Sequence, residues 1–322
     1  MENDIIHILV CPDKKYVEHT SIMLTSLFEN NRNEKFLIHV FEYNNSIGDN
    51  GKTVLNNVFD KYKIVSSFYC LSDELLKGFP CSGPNQMAHL TISTYLRIFV
   101  ARFLSKDIHK VLYLDGDIII NGSIIELYRF DIGNYTIAAA PDVYMHDVKH
   151  LNSLSIPIIY GYFNAGVLLI NLDRWRQNNV ETSCLDFIKR NPHLLKFYDQ
   201  DCLNAILFKE RTFFNIKYNF QTVFMAPKNR KIEFTYDEEI LSASKHPIII
   251  HYTGADKPWY KDCEHPLGYL YIQYRKKTIW ANKDLYARKM SLREKLWSFR
   301  VWLCHLLIGY STKMEFETKN II

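Results

Sequence analysis

Short apolar runs alternate along this chain with segments whose apolar positions recur at helical spacing. Ile5-Ile6-His7-Ile8-Leu9-Val10 reads as a buried strand that stops at Cys11-Pro12-Asp13. From about Tyr16 to Asn30, Val17, Met23, Leu24, Leu27 and Phe28 follow near-helical spacing, and Asn30-Asn31 closes the segment. Phe36 to Tyr43 predicts a second strand, Val54 to Tyr62 a helix and Ile64 to Leu71 a third strand. Leu90 to Phe103 predicts a helix, because Ile92, Tyr95, Leu96, Phe99, Val100 and Phe103 form an apolar stripe. Lys110 to Leu114 is a strand that runs straight into Asp115-Gly116-Asp117, and Thr136–Ala140, Val167–Ile170 and Ile248–Ile250 are later strands. Strands alternating with helices predict the α/β class, with a mainly parallel sheet covered on both faces. In such sheets functional groups gather past the carboxyl ends of strands. Asp13, Asp115, Asp117, Asp142 and His251 all take such positions.

Composition narrows the class. Of 322 residues, 48% are hydrophobic and 23% charged, with only 12 Gly and 10 Pro, which excludes disordered, collagen-like and low-complexity chains. The seven cysteines form no C-x-x-C pair and read as scattered buried thiols of a reducing cytosol. Met1-Glu2-Asn3-Asp4 is acidic and the apolar run behind it is short, so no signal peptide is expected; no apolar stretch reaches membrane-spanning length. The expectation is a cytoplasmic protein. Its net charge of +4 is uneven: residues 275–300 carry nine basic and two acidic side chains, a net +7, which leaves the rest of the chain at −3.

Two carboxylates two residues apart at a strand end, with Gly letting the backbone bend, can ligate a divalent cation and a bound phosphate, although Asp-Gly-Asp also suits a solvated turn. His251 ends an Ile-rich strand and precedes Thr253-Gly254-Ala255-Asp256-Lys257-Pro258-Trp259. As a ligand its imidazole suits Mn²⁺ better than Mg²⁺, which favours an all-oxygen shell; as a plain structural histidine it would pack at the sheet edge. Lys257 could meet a phosphate as a point charge. Acidic residues at Asp199 and Asp201 would cap a helix whose apolar face is Leu203, Ile206, Leu207 and Phe208, and Asn164-Ala165-Gly166 reads as a turn into a strand. G-x-G-x-x-G, P-loop and G-x-S-x-G signatures do not occur, so Rossmann dehydrogenases, P-loop NTPases and α/β-hydrolases lose their main support.

Tyr113-Leu114-Asp115-Gly116-Asp117, Asn164-Ala165-Gly166-Val167, Asp199-Gln200-Asp201-Cys202-Leu203-Asn204 and His251 through Trp259 occur in the order seen in family 8 glycosyltransferases, and His89 to Arg97 and Ala140-Pro141-Asp142 agree. Over roughly residues 5 to 270 the chain resembles the bacterial lipopolysaccharide galactosyl- and glucosyltransferases of that family. The resemblance implies a GT-A fold and a retaining enzyme that moves galactose or glucose from a UDP-hexose to a cell-envelope glycan such as lipopolysaccharide core. Mn²⁺, with Mg²⁺ as second choice, would be held by Asp115, Asp117 and His251. Asp13 and Tyr16 would lie by the uracil, Arg97, Asp115, Asn164 and Ala165 by the donor sugar and ribose, and Gly254 and Lys257 by the diphosphate. Gln200, Asp199 and Asp142 would be the catalytic set.

Two other readings stay open on the residues alone: a metal-dependent sugar nucleotidyltransferase, and a non-catalytic nucleotide-sugar or glycan-binding protein. Residues 1–270 are expected to form the catalytic domain and 271–322 a basic amphipathic tail. From Ser291 the tail places Leu292, Leu296, Phe299, Leu303 and Leu306 near i, i+4, i+7, with Trp297 and Trp302 nearby and Arg288, Lys289, Arg293, Lys295 and Arg300 among them. That pattern suits peripheral association with an anionic membrane surface. Nucleic acid is not an expected partner, since the basic residues lack a binding module.

Overall fold

The computed structural model describes residues 5–80, 92–142, 147–225 and 236–288. In chain order the elements are β1 (Ile6–Val10), α1 (Val17–Asn30), β2 (Phe36–Tyr43), α2 (Gly48–Tyr62), β3 (Val65–Leu71), α3 (Val100–Phe103), β4 (Lys110–Leu114), β5 (Ile118–Ile120) and α4 (Ile125–Tyr128). There follow β6 (Ile137–Pro141), α5 (Val148–Ser153), β7 (Phe163–Asn171), α6 (Leu172–Gln177), α7 (Val180–Arg190), α8 (Asp199–Leu207), β8 (Arg211–Phe213), β9 (Phe220–Gln221), α9 (Asp237–Lys245), β10 (Ile249–His251) and α10 (Gly268–Arg275).

Seven strands make the central sheet in the order β3-β2-β1-β4-β7-β6-β8. Only β7 runs against the others, pairing antiparallel with β4 and with β6. Side chains alternate across the sheet as strand geometry requires. Ile8, Ile38 and Leu112 enter one apolar core with Leu24, Leu27 and Leu55. Leu9, Phe41, Val111 and Tyr113 enter a second with Leu168, Trp175 and Leu203. This is the expected α/β class with a mostly parallel sheet.

Helix α1 is buried from Val17 through Phe28, including Glu18, His19, Ser21, Thr25 and Ser26. The reason is a second, three-stranded sheet, β5-β10-β9, that packs on its far side with α10. Several polar groups of α1 are paired there: Ile120 N–H donates to Ser26 Oγ at 2.9 Å, Trp280 Nε1 to Ser21 Oγ at 3.0 Å, and Arg275 Nε to Glu18 Oε1 at 3.1 Å. Buried polar atoms tied off in this way hold the layer in a single position.

The structure corrects several expectations. Residues Ile92–Phe99 form a 3-10 helix and only Val100–Phe103 are α-helical; 90 and 91 lie outside the described residues. Asn164-Ala165-Gly166 are not a turn but belong to β7, where the register with β6 shifts between Ala138 and Ala140. That irregularity absorbs the small residues without ending the strand. The strand ending at His251 sits in the small sheet, because β5, an Ile-Ile-Ile run too short to stand out, pairs with it. The boundary expected at 270 falls inside α10, whose Tyr271, Tyr274 and Arg275 are buried against α1. Of the cysteines expected in the core, Cys70 is exposed. The amphipathic segment from Ser291 lies outside the described residues.

Candidate active site

Local chain direction explains how the carboxylates meet the imidazole. β4 ends at Leu114 opposite Val167 of β7, and Asp115 N–H donates to the Gly166 carbonyl at 2.8 Å. The chain turns at Gly116 and re-enters as β5, whose Ile118 lies opposite His251 of β10, while Tyr252 N–H donates to the Asp117 carbonyl at 3.1 Å. Both the turn at Gly116 and the close approach at Gly166 need glycine. A Cβ on Gly116 would come within 2.7 Å of Thr20 Oγ1, and one on Gly166 within 2.2 Å of His251 Cε1 and 2.8 Å of Asp115 Oδ2.

Asp115, Asp117 and His251 each bring one ligand atom within 4.8 Å of the other two. Each carboxylate has one oxygen engaged and one turned inward. Asp115 Oδ1 accepts from Tyr113 Oη at 2.5 Å and from Arg97 Nη2 at 3.1 Å, while Oδ2 lies 3.9 Å from His251 Nε2. Asp117 Oδ2 accepts from Lys257 Nζ at 2.5 Å, while Oδ1 lies 3.4 Å from His251 Nε2. Burial alone would raise the Asp117 carboxyl, but Lys257 and His251 hold it well below the ordinary range. His251 Nδ1 sits 2.9 Å from Asn219 Oδ1, and Asn219 Nδ2 donates to Asn164 Oδ1 at 2.9 Å. This fixes Oδ1 of Asn219 toward the imidazole, so Nδ1 carries the proton and Nε2 keeps its lone pair for the cluster. Two inward oxygens and one aimed imidazole nitrogen are a donor set that fits Mn²⁺.

A polar chain leads from this cluster across the sheet. Asn164 Nδ2 and Gln200 Nε2 both donate to Asp142 Oδ2, at 3.3 and 3.2 Å, and Ala165 N–H donates to Gln200 Oε1 at 2.9 Å. Arg97 is buried, with Nη1 on the Ala165 carbonyl at 2.5 Å, Nε 2.9 Å from Asp199 Oδ2, and its guanidinium 3.9 Å above the Tyr113 ring. Burial pushes the Asp199 carboxyl up to about 6, against the downward pull of Arg97. Tyr198, which precedes Asp199 at the start of α8, has φ 51° and ψ −118°. A non-glycine residue there stores roughly 1–3 kcal/mol of strain, and that backbone aims Asp199 and Gln200.

The cleft beside the cluster is lined by Cys11, Asp13, Tyr16, Thr20, Arg97 and Asp115, among others. Asp13 and Tyr16 are both in its lining, with Asp13 Oδ1 accepting from the backbone amides of Lys15 at 2.8 Å and Tyr16 at 3.0 Å. Lys257 is buried with Nζ on Asp117 and on the Tyr252 carbonyl at 2.6 Å. Gly254 is exposed with φ +82° and makes none of these contacts. Sequence reasoning passed over Asn219, Thr20 and the side chain of Tyr113. Thr20 Oγ1 is buried without a partner among the described residues. Its place four residues after Tyr16, on the same helix face, was a usable signal. Asn219 had none, since it lies in an unremarkable loop before β9.

A model of glycosyl transferase family 8 matches residues 7–263. Lipopolysaccharide 1,2-glucosyltransferase of Escherichia coli is 26% identical over 79% of this chain and 72% of its own. General stress protein A of Bacillus subtilis is 26% identical over 87% of this chain and 96% of its own. The galactosyltransferase LgtC, solved with donor and acceptor sugar analogues, superposes with a TM-score of 0.76 at 22% identity, over 85% of this chain and 96% of that one, which fixes the GT-A architecture. With the motif-bearing strands, the acidic pair and the histidine all inside the matched span, the chain belongs to glycosyl transferase family 8.

Proposed function

We propose that this glycosyltransferase moves a hexose, galactose or glucose, from a UDP-sugar to a cell-envelope glycan acceptor such as lipopolysaccharide core, with retention of configuration. The observation that carries the reading is the convergence of Asp115 Oδ2, Asp117 Oδ1 and His251 Nε2 beside a cleft that also holds Arg97. A Mn²⁺ ion bound to those three atoms supplies electrostatic stabilisation of the charge that develops on the UDP leaving group. Mg²⁺ is the second choice because one ligand is nitrogen.

The chain's own groups take the remaining tasks. Lys257 uses two of its three N–H donors on Asp117 and Tyr252, which leaves one for a diphosphate oxygen. Gly254, exposed in the same loop, would offer its N–H to the same diphosphate. Asp13 and Tyr16 in the lining of the cleft take the uracil. Arg97, Asn164 and Ala165 set the floor under ribose and hexose. Gln200, held by Asp142 and Ala165, supports an oxocarbenium-like state from the sugar side; an amide is a poor nucleophile, so the acceptor attacks on the leaving-group face and gives its proton to the departing phosphate oxygen. Asp199 keeps Arg97 in place, and Asp142 orients both Gln200 and Asn164.

A thermal-shift panel of UDP, UDP-glucose, UDP-galactose and GDP-mannose with and without Mn²⁺ tests the reading, since a ligand that binds the folded state raises Tm by mass action. UDP compounds are expected to stabilise only with metal; stabilisation equal for GDP-mannose, or absent with Mn²⁺, would reject it. The location belongs to the same proposal: a cytoplasmic enzyme touching the membrane through its basic tail. No helix among the described residues is long and apolar enough to cross a membrane. Full-length protein is expected to pellet with anionic liposomes at low salt, and failure to pellet would reject that part.

A further inference from the structure

A second cleft opens at the β8 edge of the central sheet, between the β8 strand and the turn before β7. Its walls are Tyr160, Phe208, Phe213 and Ile159, the last 84% exposed, and no aspartate or glutamate among the described residues lines it. Arg211 lines it as well. The guanidinium is half-buried, stacks 3.7 Å from the Phe213 ring centroid, and makes no hydrogen bond or ion pair among the described residues. Its Nε is buried with no acceptor. Burial pulls the Arg211 side chain down to about 10, with only Tyr236 and Tyr135 opposing. A partly desolvated cation without acceptors is costly to the apo protein, and a ligand anion would remove that cost. Lys209 adds a second positive charge at the rim, over Phe208.

Sheet order gives the cleft its direction. β8 is the edge strand beyond β6, and Arg211 lies opposite Ile137 at the amino end of β6, while Asp142 follows the carboxyl end of that strand, so the cleft runs down the β6–β8 edge from the side of Asp142. Gly161, which faces the Arg211 guanidinium, precedes Asn164 by three residues, and three trans peptide steps span at most about 11 Å. A glycan whose reacting end lies near Asn164 and whose body passes Gly161 would enter the cleft. Aromatic walls offer apolar faces to sugar rings, and the guanidinium fork matches a carboxylate or phosphate bidentately.

We infer that the Arg211 cleft is a saccharide subsite that takes an anionic sugar, phosphorylated or carboxylated, from the part of the acceptor remote from the bond being formed. That the ligand is a saccharide rests on the transferase reading above; that it is anionic rests on Arg211 alone.

The test uses the full-length protein with UDP and Mg²⁺ occupying the donor site. Isothermal titration calorimetry compares glucose 6-phosphate, methyl glucoside and inorganic phosphate. Glucose 6-phosphate is expected to bind at least tenfold more tightly than either of the others, because only it engages both rings and guanidinium. Arg211→Gln should erase that advantage. Ile159→Glu, at an exposed position that tolerates substitution, should weaken glucose 6-phosphate tenfold while leaving methyl glucoside within twofold. Equal binding of glucose 6-phosphate by wild type and both variants, or inorganic phosphate matching the sugar phosphate, would overturn the inference. UDP-induced thermal shifts run in parallel: their absence in wild type would reject the transferase reading itself, whatever glucose 6-phosphate does.

Discussion

Asp115 and Asp117 are each half spent before any ligand arrives, and that division of labour is what makes the pair a site. One oxygen of each answers Arg97, Tyr113 or Lys257; the other is left facing Nε2 of His251. Asp117→Ala should therefore abolish metal-dependent transfer in a radiolabelled UDP-sugar assay, and near-wild-type turnover would remove Asp117 from the metal set. Gly166→Ala is a sharper probe, because its methyl would sit 2.2 Å from the imidazole edge while nothing ionisable is lost. Displacing an aimed ligand costs about 10–100-fold in metal affinity, and the Gly166→Ala protein should show that loss in a Mn²⁺ titration while keeping a cooperative melt. The sequence exposed the two carboxylates, the histidine, Gln200 and Asp142 by their motifs. Asn219 stayed hidden because an orienting hydrogen bond leaves no mark on spacing.

At the scale of elements, α1 and α10 depend on each other. Arg275 and Glu18 form a pair of which each side chain is only 6% exposed, and Tyr286 Oη adds a 2.7 Å bond to the same carboxylate. Removing one partner strands a buried charge, so Arg275→Met should destabilise by about 3–5 kcal/mol in urea unfolding. A loss below about 1 kcal/mol would mean that Glu18 is hydrated. His19 reports on the same contact: its ring stacks 3.6 Å from Trp259 and its Nδ1 is 2.8 Å from Tyr271 Oη. Burial lowers the imidazole to about 3, with Asp117 opposing and Lys257 and Arg275 assisting. The folded pKa thus lies below the unfolded value of about 6.5. Below pH 6.5 the unfolded chain takes a proton that the folded one refuses, so stability falls as pH drops from 6.5 toward about 3, by about 1.4 kcal/mol per unit from this group. His19→Phe should flatten that part of the pH–stability profile.

For the whole molecule, the sheet order and the small sheet together decide where chemistry can occur. The seven strands bring β4, β7 and β6 side by side, and the β5-β10 pairing folds the chain from residue 249 onward back over α1. Truncation after residue 270 should then fail to give a cooperative melt, because it removes most of α10 and the Glu18 partner, although the family match itself ends at 263. A stable truncated protein would restore the boundary expected from composition. Periodicity alone determined the α/β class, the early strands and α1, since burial on a sheet face or helix stripe imposes a period that residues must obey one by one. Motif spacing supplied the candidate ligands, since each motif sits on one continuous stretch of chain. Only the tertiary structure decided that Asn164–Gly166 are strand, that a three-residue β5 exists, that 271–288 cover α1, and that His251 stands 3.4 Å from Asp117 rather than merely at a strand end. Those outcomes depend on pairings between segments from about twenty to more than two hundred residues apart, whose energy belongs to the pair and is written in neither segment by itself.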